Sequence, residues 1–103
     1  MAQSFMEFIY IDDAGDARQT NLRLSLSSNA ATLAEFRRLR RHSVDIKQAR
    51  FLLDYHNASG DMSDTIAVDA DGFAAITGQR PKADAEYIKI DADFWDEARS
   101  AAA

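Results

Sequence analysis

Two strand-forming segments separated by a turn sequence open the chain and constrain its fold more than any other feature. The segment FMEFIYID is rich in aromatic and β-branched residues, and TNLRLSLS alternates between leucines and polar residues. Between them, DAGDA supplies the acidic residues and the glycine that turns favour. The pattern predicts an N-terminal β-hairpin. Because its first strand is apolar on both faces, we expect that strand to lie inside a sheet or to be covered on both sides.

A helix is predicted after the hairpin. Thr32 and Glu35 have the spacing of a capping box. The residues that follow place Leu33, Phe36 and Leu39 on one stripe at about 100° per residue. This stripe is expected to face the core.

A second helix is predicted directly after the first. Ser43 is a suitable N-cap residue, and the segment VDIKQARFLLDYHN follows it. Apolar residues cover most of the circumference that this segment would have as a helix. We therefore expect the second helix to be the most buried one.

The stretch from residue 65 to residue 78 allows two interpretations. It can form two short strands joined at Asp71 and Gly72, since Asp-Gly is a hairpin signal. It can also form a strand that leads into a short helix ending at Gly78. The sequence GFAAITG followed by QRP favours the strand and helix.

The C-terminal part of the chain predicts one more strand and one more helix. The segment EYIKID has the pattern of a strand, and residues 91–103 have the pattern of a closing helix whose last residues, 100–103, are expected to fray. There is no linker and no internal repeat. Residues 1–103 are therefore predicted to form a single small α+β domain: an N-terminal hairpin, two central helices, a further strand region and a C-terminal helix, packed on an antiparallel or mixed sheet.

Several classes of function lack support in the sequence. The absence of cysteine excludes disulfides and zinc-thiolate sites. An EF-hand placed on Gly72 would have Ala67 and Gly78 at its two end positions, where carboxylates are required. Neither a nucleophile elbow nor a glycine-rich phosphate loop is present. We therefore expect no enzyme, no cofactor, no membrane span and, by default, a cytoplasmic location.

Charge is segregated along the chain. The formal net charge is -5, yet residues 35–50 contain six basic and two acidic side chains. Four arginines of this stretch, which we call the arginine face, share an arc of about 160° on the predicted helix. Its members are Arg37, Arg38, Arg40 and Arg41. Arg40 falls at the apolar margin, where its stem is expected to pack on the core while its guanidinium reaches solvent or a carboxylate.

The arginine face favours a non-catalytic module that binds another protein or a second copy of itself, for example as a homodimer. A first alternative is a DNA-binding regulator, since the predicted strand, helix and helix of Thr20 to Asn57 resemble ribbon-helix-helix repressors in layout. In that arrangement Asn21, Arg23 and Ser25 would face the major groove. A second alternative is an acidic inhibitor that mimics the charge of nucleic acid.

A third alternative is a metal or acid-base site around the single histidine of the segment DYHNASGDMSD. His56 lies close in sequence to Asp61 and Asp64, and histidine with carboxylates is a legitimate ligand set. Asp54 would lie on the opposite side of the predicted second helix. That placement argues against a joint role for Asp54 and His56.

Overall fold

A computed structural model of the chain describes residues 3–78 and 80–81. The described residues form an α+β domain, and this confirms the predicted class. The predicted strand at residues 86–91 and the predicted helix at 91–103 lie outside the described residues. The described strands and helices are, in chain order, β1 (Phe5–Ile11), β2 (Ala17–Leu24), α1 (Asn29–Leu39), β3 (Phe51–His56), β4 (Met62–Val68) and α2 (Ala70–Thr77).

The four described strands form one antiparallel sheet in the order β2-β1-β3-β4. Strands β1 and β2 form the predicted hairpin. Strand β1 is hydrogen-bonded on both sides, by β2 and by β3. Its apolar character on both faces therefore has the expected cause, an interior position in the sheet.

The hairpin turn is closed by Asp12. The Asp12 carboxylate accepts hydrogen bonds from the backbone N–H groups of Ala14 (3.0 Å) and Asp16 (2.9 Å). It also accepts one from Arg18 Nε at 2.7 Å. Gly15 has a φ of 86°, which a side chain would disfavour. Asp12, the last residue of FMEFIYID, and Gly15 of DAGDA thus provide the interactions and the backbone conformation that close the turn.

The prediction of a second central helix is wrong. Its residues form two different structures: a single turn of 3-10 helix at Ile46–Gln48, capped by Asp45, and then strand β3. In β3 the side chains of Phe51, Leu53 and Tyr55 alternate onto the core face and are buried. A short apolar run fits a buried strand as well as a buried helix, so periodicity alone could not separate the two.

Helix α1 begins one turn earlier than its capping box predicted. Ser28 is the N-cap, and its hydroxyl accepts a hydrogen bond from the N–H of Ala31 at 3.0 Å. Thr32 lies inside the first turn, fully buried. Its hydroxyl donates to the carbonyl of Ser28 and accepts from the N–H of Leu26, both at 3.0 Å. Thr32 therefore ties the chain entering the helix to the first turn.

Strand β4 and helix α2 confirm the favoured interpretation of residues 65–78. Asp69 caps α2 by accepting a hydrogen bond from the N–H of Gly72 at 2.7 Å. Gly78 ends the helix in the left-handed conformation, with a φ of 79°, and donates to the carbonyl of Ala74 at 2.8 Å. This is the glycine C-cap that the sequence indicated.

The core lies between one face of the sheet and the two helices. Phe73 of α2 stacks on Phe51 at 4.1 Å between ring centroids and contacts Phe8 at 5.1 Å. Phe36 of α1 packs on Tyr55 at 5.4 Å. All five rings are buried. The other face of the sheet, which we call the second face, carries the candidate metal ligands described below.

Candidate functional site

The arginine face lies at the C-terminal end of α1 and in the short 3-10 turn that follows it, Arg40–His42. All four of its arginines are exposed. Basic side chains at a helix C-terminus interact favourably with the helix dipole, so the cluster has a local stabilising role as well.

Two of the four arginines are paired with carboxylates. Arg38 pairs with Glu35 one turn earlier on α1, and this hydrogen bond raises the pKa of Arg38. Arg40 pairs with Asp64 of β4, and its guanidinium lies 5.4 Å from the centroid of the buried Phe36 ring. The sequence-based expectation for Arg40, a stem on the core and a carboxylate partner, fits this geometry.

The other two arginines have no carboxylate partner within the described part of the chain. Arg37 is exposed and makes no ion pair there. Arg41 Nε donates to His42 Nε2 at 3.3 Å. Burial, and then the charges of Arg41 and Arg38, lower the pKa of His42. A lowered pKa favours the neutral imidazole, the form that can accept this hydrogen bond.

The ribbon-helix-helix alternative assigned Asn21, Arg23 and Ser25 to a strand that faces DNA, and in the structure Arg23 and Ser25 contact other residues of this chain. Arg23 Nε lies 3.2 Å from Glu7 Oε2, and Arg23 covers the Phe5 ring at 4.8 Å. The Ser25 hydroxyl donates to the carbonyl of Ser4 at 2.8 Å, and the side chain of Asn21 lies outside the described part of the structure. Since β3 replaces the second helix, the strand-helix-helix layout that suggested ribbon-helix-helix repressors is absent from the described residues.

The two aspartates proposed to act with His56 have other side-chain partners in the structure. Asp64 pairs with Arg40, and Asp61 accepts a hydrogen bond from the Ser59 hydroxyl at 3.2 Å in the turn between β3 and β4. His56 Nε2 instead lies 2.9 Å from Glu7 Oε1.

Three side chains of the second face form what we call the acid-histidine cluster: Glu7, Asp54 and His56. One ligand atom from each lies within 4.8 Å of the others. Glu7 is directly opposite Asp54 in the register of β1 and β3, and His56 follows two residues after Asp54 on the same side of β3. The imidazole of His56 stacks on the Phe5 ring at 4.5 Å between centroids, which fixes its plane.

Both carboxylates of the cluster are buried, Glu7 with 6% and Asp54 with 8% of its surface exposed. Each uses an oxygen to accept a hydrogen bond: Glu7 Oε2 from Arg23 at 3.2 Å, and Asp54 Oδ1 from the Thr65 hydroxyl at 2.8 Å. Burial raises the pKa of Asp54, with a smaller contribution from the Glu7 charge. The arrangement has the chemistry of a metal-ligand set or of an acid-base pair.

Sequence reasoning missed this cluster because it placed Asp54 and His56 on a helix. Residues two apart lie about 200° apart on a helix but on the same face of a strand. No local pattern linked Glu7 to the other two residues, since only the pairing of β1 with β3 brings it to the site. One signal was available: a single acidic residue inside an otherwise apolar strand pattern, in both FMEFIYI and FLLDYH.

Comparisons with protein-family models, with curated proteins and with solved structures found no match to this chain. Within the described residues, no helix is long and apolar enough to cross a membrane.

Proposed function

We propose that this protein is a non-catalytic binding module whose arginine face contacts an acidic surface on another protein or on a second copy of itself. The observation that supports this proposal is that only two of the four arginines of the arginine face are paired with described carboxylates. Arg38 and Arg40 are neutralised by Glu35 and Asp64, whereas Arg37 and Arg41 are not paired with any described carboxylate. Unpaired exposed cations in a chain of net charge -5 are suited to a complementary anionic surface.

A protein surface fits this face better than nucleic acid does. Two unpaired arginines would give a salt slope of only about -1.8 on duplex DNA, a weak term against the net negative charge of the chain. Aromatic rings that could stack on bases are not exposed among the described residues. The exposed large apolar side chains there are Ile46 and Met62. Ile46 lies in the segment that follows the arginine face, and an apolar residue near arginines is typical of protein interfaces.

A second copy could supply the acidic surface. Asp13 and Asp16 are exposed at the tip of the β1-β2 hairpin, and Asp13 is only loosely paired with Arg50, at 3.5 Å. The same surface chemistry is available on any acidic partner. Self-association and binding to another protein would therefore use the same contact, between the arginine face and an acidic surface. An experiment can determine which of the two molecules supplies that surface.

The proposal is tested by anisotropy titrations of the full chain with labelled polyglutamate and with a labelled mixed-sequence duplex, at about 50 mM salt. We expect saturable binding of polyglutamate and weaker binding of the duplex. Absence of polyglutamate binding, or tighter binding of the duplex, would overturn the proposal. Sedimentation equilibrium of the chain alone then identifies the source: a concentration-dependent dimer that dissociates in high salt indicates the second copy, and a monomer indicates another protein.

A further inference from the structure

We propose that Glu7, Asp54 and His56 form a binding site for one divalent transition-metal ion of the Zn²⁺, Co²⁺ or Mn²⁺ type. The site lies on the second face of the sheet and is independent of the arginine face. Two carboxylates and one imidazole, on two adjacent strands, bring their ligand atoms within 4.8 Å of one another. The register of β1 and β3 positions all three residues.

The hydrogen bonds around the cluster leave ligand atoms available. Glu7 accepts from Arg23 through Oε2, and Asp54 accepts from Thr65 through Oδ1. Each carboxylate therefore retains a second oxygen. Bonds of this kind orient ligating carboxylates around a metal ion and support its affinity.

The imidazole of His56 provides an independent indication. His56 Nε2 is buried and has no hydrogen-bond partner: it approaches Glu7 Oε1 to 2.9 Å, but without the direction that a hydrogen bond requires. A buried polar atom without a hydrogen bond is unfavourable and calls for an explanation. Coordination to a metal ion satisfies the nitrogen without an N–H donor.

Charge supports the same conclusion. Two buried carboxylates directly opposite each other on neighbouring strands repel, and Arg23 offsets one of the two charges. With His56 neutral, as a metal ligand must be, the group formed by Glu7, Asp54, His56 and Arg23 has an excess of one negative charge. A divalent cation removes the repulsion between the carboxylates.

The ligand types select the class of metal. Nitrogen and oxygen donors without sulfur suit Zn²⁺, Co²⁺ and Mn²⁺, while Ca²⁺ and Mg²⁺ prefer oxygen ligands alone. Ligands around Zn²⁺ lie roughly 3.4 Å apart in a tetrahedral site. The separation of 2.9 Å between His56 Nε2 and Glu7 Oε1 must therefore open by a few tenths of an ångström. Three protein ligands leave a fourth position for water or an incoming group.

The competing explanation is an ion pair in which protonated His56 faces Glu7 with no metal. Isothermal titration of the full chain with ZnCl₂ distinguishes the two. We expect one ion per chain, and visible absorption bands of a tetrahedral complex when CoCl₂ is used instead. His56→Gln should lower the affinity at least tenfold, whereas the matched control His42→Gln should leave it unchanged. Absence of binding to the wild-type chain, or equal losses in the two histidine variants, would overturn the proposal.

A second measurement does not depend on the folding of a variant. Substoichiometric Mn²⁺ added to the wild-type protein should broaden the NMR signals of Phe5, Asp54 and His56 more than those of residues in α1 and α2. Broadening centred instead on the exposed aspartates of the hairpin turn would contradict the assignment. Neither result depends on whether the arginine face binds an acidic partner, so the two proposals can fail separately.

Discussion

Glu7 on β1 lies directly opposite Asp54 on β3, and both carboxylates are buried. Opposed like charges on neighbouring strands destabilise a sheet, and burial adds the cost of removing each carboxylate from water. Arg23 and Thr65 offset part of this cost through their hydrogen bonds to the two carboxylates. We therefore expect the two carboxylates to lower the stability of the fold. Positions of this kind are candidates for function.

Replacing Asp54 with asparagine should stabilise the metal-free protein at neutral pH. The pKa of Asp54 is raised above 3.8 in the folded state, mainly by burial. Its contribution to stability is thus fully present below pH 3.8 and is lost as the pH rises through the folded-state pKa. Asparagine keeps an oxygen that can accept from Thr65 but carries no charge, so the free energy of unfolding should rise by roughly 0.2–1 kcal/mol.

Urea unfolding of wild type and Asp54→Asn, in a chelating buffer at several pH values, measures this effect. The two proteins should converge in stability as the pH falls toward 3.8. Asp61→Asn is the control, since Asp61 is exposed in a turn. A variant that is less stable than wild type at neutral pH would show that the Asp54 charge is favourable in the fold.

The turn carboxylate Asp12 should have the opposite pH dependence. Its pKa is lowered below 3.8, chiefly by the hydrogen bond from Arg18 and then by that from the N–H of Asp16. The stability it contributes is therefore present above pH 3.8 and is lost as the pH falls through the lowered folded-state pKa. Asp12→Asn should lower the melting temperature at neutral pH and flatten the acid part of the stability curve. Thermal unfolding followed by circular dichroism is the measurement, and an unchanged acid limb would contradict the role of Asp12.

His42 reports on the electrostatics of the arginine face. Its pKa is lowered below 6.5 by burial and then by the charges of Arg41 and Arg38. Arg41→Ser should therefore raise the pKa of His42 while burial keeps it below 6.5. An NMR titration of the imidazole carbon protons measures the shift, with Arg80→Ser as the control. Equal pKa values in wild type and Arg41→Ser would mean that Arg41 does not act on the imidazole.

The pair between Arg40 and Asp64 should contribute little to stability. Both side chains are nearly half exposed, so solvent screens their attraction, and exposed pairs are worth about 0.2–1 kcal/mol. A double-mutant cycle with Arg40→Ser and Asp64→Ser, measured by urea unfolding, gives the coupling energy. A coupling well above 1 kcal/mol would indicate that the pair is an essential link between the end of α1 and β4.

The parts of the fold that could be predicted from sequence are those specified by local chemistry. The hairpin follows from the alternation around DAGDA, and α2 follows from the sequence GFAAITG with Gly78 as its end. Strand β3 could not be predicted, because FLLDYH is apolar enough to fit a buried helix, and only its pairing with β1 and β4 decides the outcome. The arginine face could be predicted from sequence because its members are close together in the chain, at the end of α1 and in the 3-10 turn that follows it.

The acid-histidine cluster could not be predicted from the sequence, because it depends on strand β3 and on the pairing of β3 with β1. Asp54 and His56 converge only in a strand, and Glu7 joins them only through the register of β1 and β3. A site assembled from residues distant in sequence has no local pattern. With residues 51–56 predicted as helix instead of strand, Asp61 and Asp64 rather than Asp54 were the expected partners of His56.

The most direct test of the proposed function compares polyglutamate affinity in two variants with the same change of net charge. Arg37→Ser/Arg41→Ser removes the arginines that lack a described carboxylate partner, and Arg50→Ser/Arg80→Ser removes two exposed arginines that pair with Asp13 and Asp71. If the arginine face is the binding surface, the first variant loses at least tenfold in affinity and the second changes little. Equal losses in the two variants would contradict the account, because total charge alone would then explain the binding.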